Sequence, residues 1–230
     1  MKHMLRMGVD GLIFASVHLK EPVVEKLIAD GFPTVLVNRK LKGASYHHVV
    51  CDNFQGAYDI TRYLLDLGYR KIAMISGHTY LSTGLDRLKG YQKALKDRGI
   101  ALSRDYVVEG PFAPETGYNA AKKLLALEDR PEAIFAGNDY IARGVMEAVE
   151  EMGLSIPEDV ALTGFDNTSF AAMGRNKLTT VSQCRYEMGE LAVQILVDTI
   201  ECKNLDHTHN ILLKAEIIVR ESCGHKLRKK

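Results

Sequence analysis

Lys71-Ile72-Ala73-Met74-Ile75-Ser76-Gly77-His78 is the stretch on which the fold turns. From Ile72 to Ile75 every residue is apolar, and the run then breaks into a serine, a glycine and a histidine. A strand with one wet face alternates apolar and polar positions, whereas a continuous run belongs to a strand covered on both faces. A helical stretch from Ser82 to Arg98 follows at once. A buried strand feeding a helix is the repeating unit of a parallel α/β sheet.

The same unit recurs on either side. Upstream, Gly11-Leu12-Ile13-Phe14-Ala15 reads as a strand, and Pro22 to Asp30 as a helix with proline in its first turn and Gly31 ending it. Thr34-Val35-Leu36-Val37 is the next strand, and Val49-Val50 leads to a helix from Phe54 to Leu67. Downstream, Ala133-Ile134-Phe135-Ala136 precedes a helix from Asp139 to Met152, and Val160-Ala161-Leu162-Thr163 is another strand. Glu187 to Glu201 reads as a helix, and Ile211 to Val219 as one or two final strands. No tether of low complexity interrupts the chain, so a second lobe has to share it by crossing over.

Parallel sheets bind ligands beyond the carboxyl ends of their strands. The residues there are polar: Asn38-Arg39, Cys51-Asp52-Asn53, Ser76-Gly77-His78, Gly137-Asn138-Asp139 and Gly164-Phe165-Asp166-Asn167. Each Asn, Asp or Ser can cap the helix that follows. Together they also form a hydrogen-bonding rim suited to a hydroxyl-rich or carboxylate ligand.

Bulk composition narrows the function. Of 230 residues, 46% are hydrophobic and 26% charged, enough for a sizeable core. Thirty basic against 29 acidic residues leave no broad face for nucleic acid, and the basic tail His225 to Lys230 reads as a solvated terminus. Cys51, Cys184, Cys202 and Cys223 are scattered without a C-x-x-C pair, which suits a reducing cytoplasm better than a disulfide framework. His47-His48 and His207-Thr208-His209 lack further ligands at metal spacing, so no metal or cofactor is expected. The opening Met1 to Met7 has no signal-peptide run, and no stretch is long and apolar enough to span a membrane. No nucleophile elbow, Walker loop or dinucleotide fingerprint follows a strand, so an enzyme is not expected.

Several short pieces carry a family resemblance. They are Gly68-Tyr69-Arg70-Lys71-Ile72-Ala73-Met74-Ile75-Ser76-Gly77, Arg87-Leu88-Lys89-Gly90-Tyr91, Ile134-Phe135-Ala136-Gly137-Asn138-Asp139 and Ile156-Pro157-Glu158-Asp159-Val160. Gly164-Phe165-Asp166-Asn167, Leu178-Thr179-Thr180-Val181-Ser182-Gln183 and Val219-Arg220-Glu221-Ser222 complete the set. In this order the chain resembles the core of the lactose/galactose repressor (LacI/GalR) family. The resemblance implies a periplasmic-binding-protein-like type I α/β fold: two parallel-sheet lobes with crossover strands and a small-molecule cleft at the hinge. Residues 1–50 plus 183–208 would form the N-terminal lobe, partial here, and 51–182 plus 209–230 the C-terminal lobe. The chain would begin near the end of that lobe's second helix, without the family's helix-turn-helix DNA-binding domain. The implied function is effector sensing and dimerisation in a cytoplasmic transcription regulator, repressor-like, whose operator affinity a sugar, phosphosugar or nucleobase controls. A transport-type sugar-binding protein of the same fold is the alternative.

The resemblance also assigns residues. Arg87 matches the arginine that reaches the effector, and its fork suits two ligand oxygens. Asn138 and Asp166 match effector-contacting positions, with helix capping as the competing role. Asn38 stands where relatives often carry aspartate. Phe112 aligns with an aromatic that packs on the ligand, core packing being the alternative, and Gln183 lies on the last crossover strand. On the helix after Asn138, Ile141, Val145 and Val149 belong to an apolar arc wider than one sheet requires. They are either deeply buried or part of a homodimer interface.

Overall fold

The computed structural model describes residues 8–43, 45–174, 176–201 and 208–228. Met1 to Met7, Cys202, His207, Lys229 and Lys230 lie outside them. Two compact units share the chain. One takes the chain up to Asp52, Tyr80–Ser82 and Cys184–Lys214; the other takes Asn53–Thr79, Thr83–Gln183 and everything from Ala215 onward.

The first unit is a four-stranded parallel sheet in the order β1 (Leu12–Phe14), β2 (Thr34–Val37), β3 (His47–Cys51), β9 (Asn210–Leu213). Helix α1 (Pro22–Ala29) begins with proline, whose fixed φ suits the first turn, and Gly31 follows it with a positive φ. Val17, Val24, Leu36, Leu41 and Tyr46 form a buried cluster with Phe14 and Ile28 against it. The helix α6 (Arg185–Ile200) packs on β1, β2 and β3.

The second unit holds a six-stranded sheet in the order β10 (Glu216–Ile218), β8 (Thr179–Ser182), β7 (Ala161–Asp166), β6 (Ala133–Ala136), β4 (Ile72–Gly77), β5 (Val107–Gly110). All neighbours are parallel except β10 against β8. The unbroken apolar runs divide by alternation, as pleating demands. Ala73, Ile75, Ile134, Ala136 and Leu162 enter one core with helices α4 (Pro114–Leu125) and α5 (Asp139–Glu151). Ile72, Met74, Ala133, Phe135 and Ala161 enter the other with α2 (Asn53–Asp66) and α3 (Ser82–Asp97).

Close approach of α4 to α5 depends on two glycines. A Cβ on Gly117 would lie 1.9 Å from the Ile141 carbonyl oxygen, and one on Gly144 would lie 1.8 Å from that of Pro114. Backbone therefore meets backbone here.

The structure departs from the sequence expectations in two places and completes them in others. Strand β9 pairs with β3, so residues 210–213 belong to the first unit, not to the C-terminal lobe that was to begin at 209. Of the one or two strands expected from Ile211 to Val219 the structure has two, in different sheets, with Lys214 and Ala215 between them. Ile141, Val145 and Val149 are core residues, 0%, 0% and 2% exposed, and cannot present a face to a second copy. Their stripe faces the sheet. Strand β5 and helix α4 have no counterpart in the sequence expectations: β5 is a short edge strand, and α4 buries Gly117, Ala120 and Ala121 along with Leu124 and Leu125.

Candidate functional site

In the second unit the chain leaves β4 toward β5 on one side, then returns to place β6 on the other. The carboxyl ends of β4 and β6 therefore form the topological switch point, where open α/β sheets take their ligands. Arg87 lies over it. Helix α3 follows β4, and Arg87 on that helix donates Nη1–H to the Gly137 carbonyl just past β6, at 2.6 Å. Its Nε donates to Asn53 Oδ1 at 2.8 Å and Nη2 to Asp166 Oδ1 at 3.0 Å. The guanidinium carbon stands 3.7 Å from the centre of the Phe165 ring and 5.6 Å from that of Phe112. Arg87 is only 3% exposed, so this is a desolvated cation held by a carboxylate, an amide, a carbonyl and an aromatic face.

Asp166 ends β7, and Gln183 Nε2 donates to the same Oδ1 that holds Arg87. No donor among the described residues reaches its second oxygen. Both Asp166 (φ 108°) and Asn167 (φ 49°) lie in the left-handed region. Two consecutive non-glycine residues there cost about 1–3 kcal/mol each and persist only where the surroundings hold them.

Asp139 supplies part of that hold. It is buried at the start of α5, accepting Thr180 Oγ1 at 2.6 Å, Thr168 N–H at 2.7 Å and the Thr168 hydroxyl at 3.0 Å. Burial raises its pKa above the ordinary aspartate value despite those donors, with the Asp166 charge adding to the rise. On the β5 side, burial works to raise Glu109, but the Thr79 amide and His78 outweigh it and hold the carboxyl below its usual range. His78 Nδ1 lies 3.2 Å from Glu109 Oε1.

Of the sequence candidates, the structure brings Arg87, Asp166, Gln183 and Phe112 together in the second unit. The tip of the Phe112 ring closes on Gly77, where an added Cβ would come within 2.1–2.5 Å of it. Asn138 is the N-cap of α5: its Oδ1 accepts Ile141 N–H at 2.9 Å, the capping role weighed for it. Asn38 belongs to the first unit, just after β2, with φ 69° and its N–H on the Val49 carbonyl.

Two residues were not singled out by the sequence reading, although Asn53 belongs to the polar rim named after the strands. Asn53 at the head of α2 binds Arg87, yet in sequence it is one polar helix start among many. Thr83 is 3% exposed and its hydroxyl has no partner; it lies one turn before Arg87 on the same face of α3. The i, i+4 spacing to Arg87 was the available signal. Gln183 Oε1 is likewise buried without a partner. Among the described residues no group of three or more His, Cys, Asp or Glu side chains is placed to hold a metal ion, and no helix is long and apolar enough to cross a membrane.

Known proteins resemble this arrangement throughout. The periplasmic binding protein-like domain family matches residues 61–223. The HTH-type transcriptional repressor PurR of Klebsiella pneumoniae is 34% identical over 223 residues, covering 96% of this chain and 65% of its own length. The chain thus spans about two thirds of that relative. Among solved structures, the complex of the transcriptional regulator CelR with cellobiose superposes with a TM-score of 0.90 at 30% identity, covering 96% of this chain and 68% of that one. A putative LacI transcriptional regulator from Bacillus cereus subsp. cytotoxis gives 0.91 at 29% identity, covering 96% and 79%. The chain belongs to the periplasmic binding protein-like domain family, and within it to the branch of LacI-type regulators.

Proposed function

We propose that this chain is the effector-sensing part of a cytoplasmic transcription regulator, with its small-molecule site at the β4–β6 switch point of the second unit. The observation that carries this reading is the buried Arg87–Asp166 pair, 3.0 Å apart, with one Asp166 oxygen and the Thr83 and Gln183 oxygens left without protein donors. A ligand rich in hydroxyl or amide N–H groups satisfies all three, and Phe112 offers an apolar face beside them. Sugars, sugar phosphates and nucleobases have that chemistry. The relatives carry regulator names, which favours this reading over a transport protein of the same fold. Operator DNA would be contacted by a part of the protein outside these residues, since the relatives are longer.

The regulator works as a homodimer in this reading. With Ile141, Val145 and Val149 in the core, the exposed candidate is an open groove of about 700 Å³ whose lining includes Met146, Leu154, Phe170 and Met173 together with Glu150 and Glu158. Met173 is 62% exposed there. Apolar side chains with charged neighbours at the rim suit a two-fold interface. Met173→Glu converts a dimer into a folded monomer in analytical ultracentrifugation; an unchanged dimer removes the groove from the interface.

Thermal unfolding of the 230-residue chain against sugars, sugar phosphates and nucleobases tests the effector reading. A concentration-dependent rise in Tm with one class supports it, because a ligand of the folded state stabilises by mass action. No rise with any class opposes it.

A further inference from the structure

We propose that Arg220 is a positioning residue for this site: it holds the Asp166–Asn167 turn in its left-handed conformation and so aims the Asp166 carboxylate at Arg87. Arg220 follows β10, 53 residues beyond Asn167 in the chain, and touches neither Arg87 nor Asp166 through any contact of its side chain. Its fork is divided between two tasks. Nη2 donates to Asn167 Oδ1 at 2.8 Å, and Nη1 donates to the Leu178 carbonyl at 2.8 Å, just before β8. The planar guanidinium thereby ties the side chain of the turn to the neighbouring strand at a fixed angle, which a lysine cannot reproduce.

The segment that carries Arg220 is itself pinned. Its backbone N–H donates to Thr179 Oγ1 at 2.8 Å, and Ser222 Oγ donates to the Leu162 carbonyl at 2.6 Å while accepting Thr179 N–H at 2.8 Å. The grip is thus anchored to β7 and β8 at once. On the far side of the turn, Asp139 holds Thr168 by its N–H and its hydroxyl. Asn167 also donates its N–H to Thr180 Oγ1 at 3.4 Å and its Nδ2 to Ser182 Oγ at 3.3 Å. The Arg220 bond, at 2.8 Å, is shorter than either of these. Removing Arg220 takes away the tie between the Asn167 side chain and the Leu178 carbonyl, and with it support for the φ of 49° at Asn167 and of 108° at Asp166. As the turn relaxes, the carboxylate leaves Arg87.

A residue that only adds stability would lower Tm and leave the pair at Arg87 as it is. The test is geometric and needs no effector, so it stands apart from the effector reading on which its functional meaning rests. Crystal structures of Arg220→Ala, Asn167→Ala and Asn167→Gly in the 230-residue chain are compared with the parent. In Arg220→Ala and in Asn167→Ala, the Arg87 Nη2 to Asp166 Oδ1 distance should open from 3.0 Å to beyond contact. In Asn167→Gly it should stay closed, because glycine accepts a positive φ without the tether. An intact Arg87–Asp166 contact in Arg220→Ala overturns the proposal. Should that variant not fold, an intact contact in Asn167→Ala, or an opened contact in Asn167→Gly, overturns it equally.

Discussion

Removing Arg87 is expected to cost this protein far more than an ordinary arginine substitution, whether or not an effector is present. In Arg87→Ala three acceptors lose their donor together: Asn53 Oδ1, the Gly137 carbonyl and Asp166 Oδ1. Asp166 keeps Gln183, and its side chain is 20% exposed, which relieves part of the penalty. Breaking a buried ion pair from one side costs about 3–5 kcal/mol, because the remaining charge stays uncompensated. The partial exposure places the expectation at the lower end, about 3 kcal/mol, with the lost stacking on Phe165 inside that figure. Urea unfolding with an unchanged m-value measures it. The sharper test is the double variant with Asp166→Asn, which removes the stranded charge. It should be less destabilised than the sum of the two single variants by about 1 kcal/mol or more, as contacting residues couple. A loss under about 1 kcal/mol for Arg87→Ala, or strict additivity in the cycle, refutes the view that this pair is buried and mutually dependent.

Three further outcomes follow from the geometry. Thr83→Val removes a buried hydroxyl that has no partner, so stability in urea should hold or rise by up to about 1 kcal/mol while affinity for an effector falls; a stability loss above that range would mean the hydroxyl has a structural role. Gly144→Ala forces α5 off α4 at the Pro114 carbonyl and should cost at least about 1–3 kcal/mol in the same assay, and a neutral effect would show that the two helices can separate freely. Burial, and then the charge of His209, hold His47 below its ordinary pKa, and burial, opposed by the Tyr46 carbonyl and aided by Lys40, does the same to His48. Both stay neutral in the fold while the unfolded chain takes up protons near pH ~6.5, so stability is constant above that value and falls as pH drops through it toward the depressed folded values. Urea midpoints at pH 7.5 and 5.5 should differ, and His47→Gln with His48→Gln should shrink the difference; an equal difference in the variant sinks this assignment.

The architecture was legible wherever a strand ran apolar through consecutive residues, as at Ile72 to Ile75 and Ala133 to Ala136, because double-sided burial leaves no polar alternation to confuse the period. It was hidden where burial used small residues. Helix α4 meets α5 through Gly117 and Gly144, and those contacts leave no hydrophobic mark, so only Leu124 and Leu125 at its end carry an apolar signal. The crossover after residue 208 was placed one strand early, because nothing in an apolar tetrapeptide says which of two sheets it will join. At the site, Arg87, Asp166, Gln183 and Phe112 came from motif resemblance and do converge. Asn53 and Thr83 did not, since their importance lies in what faces them across the sheet edge. The arc on α5 shows the converse limit: a stripe of Ile141, Val145 and Val149 has the same spacing whether it meets a sheet or a partner, and only the burial separates the two.

The measurement that bears most directly on the central claim is calorimetric titration of the compound that raises Tm into the parent chain and into Asp166→Asn. If Asp166 and its free oxygen receive the effector, the variant, less stable but still folded, should bind at least about tenfold more weakly, a loss of about 1.4 kcal/mol. Equal affinity in the two proteins would place the effector elsewhere and contradict the account.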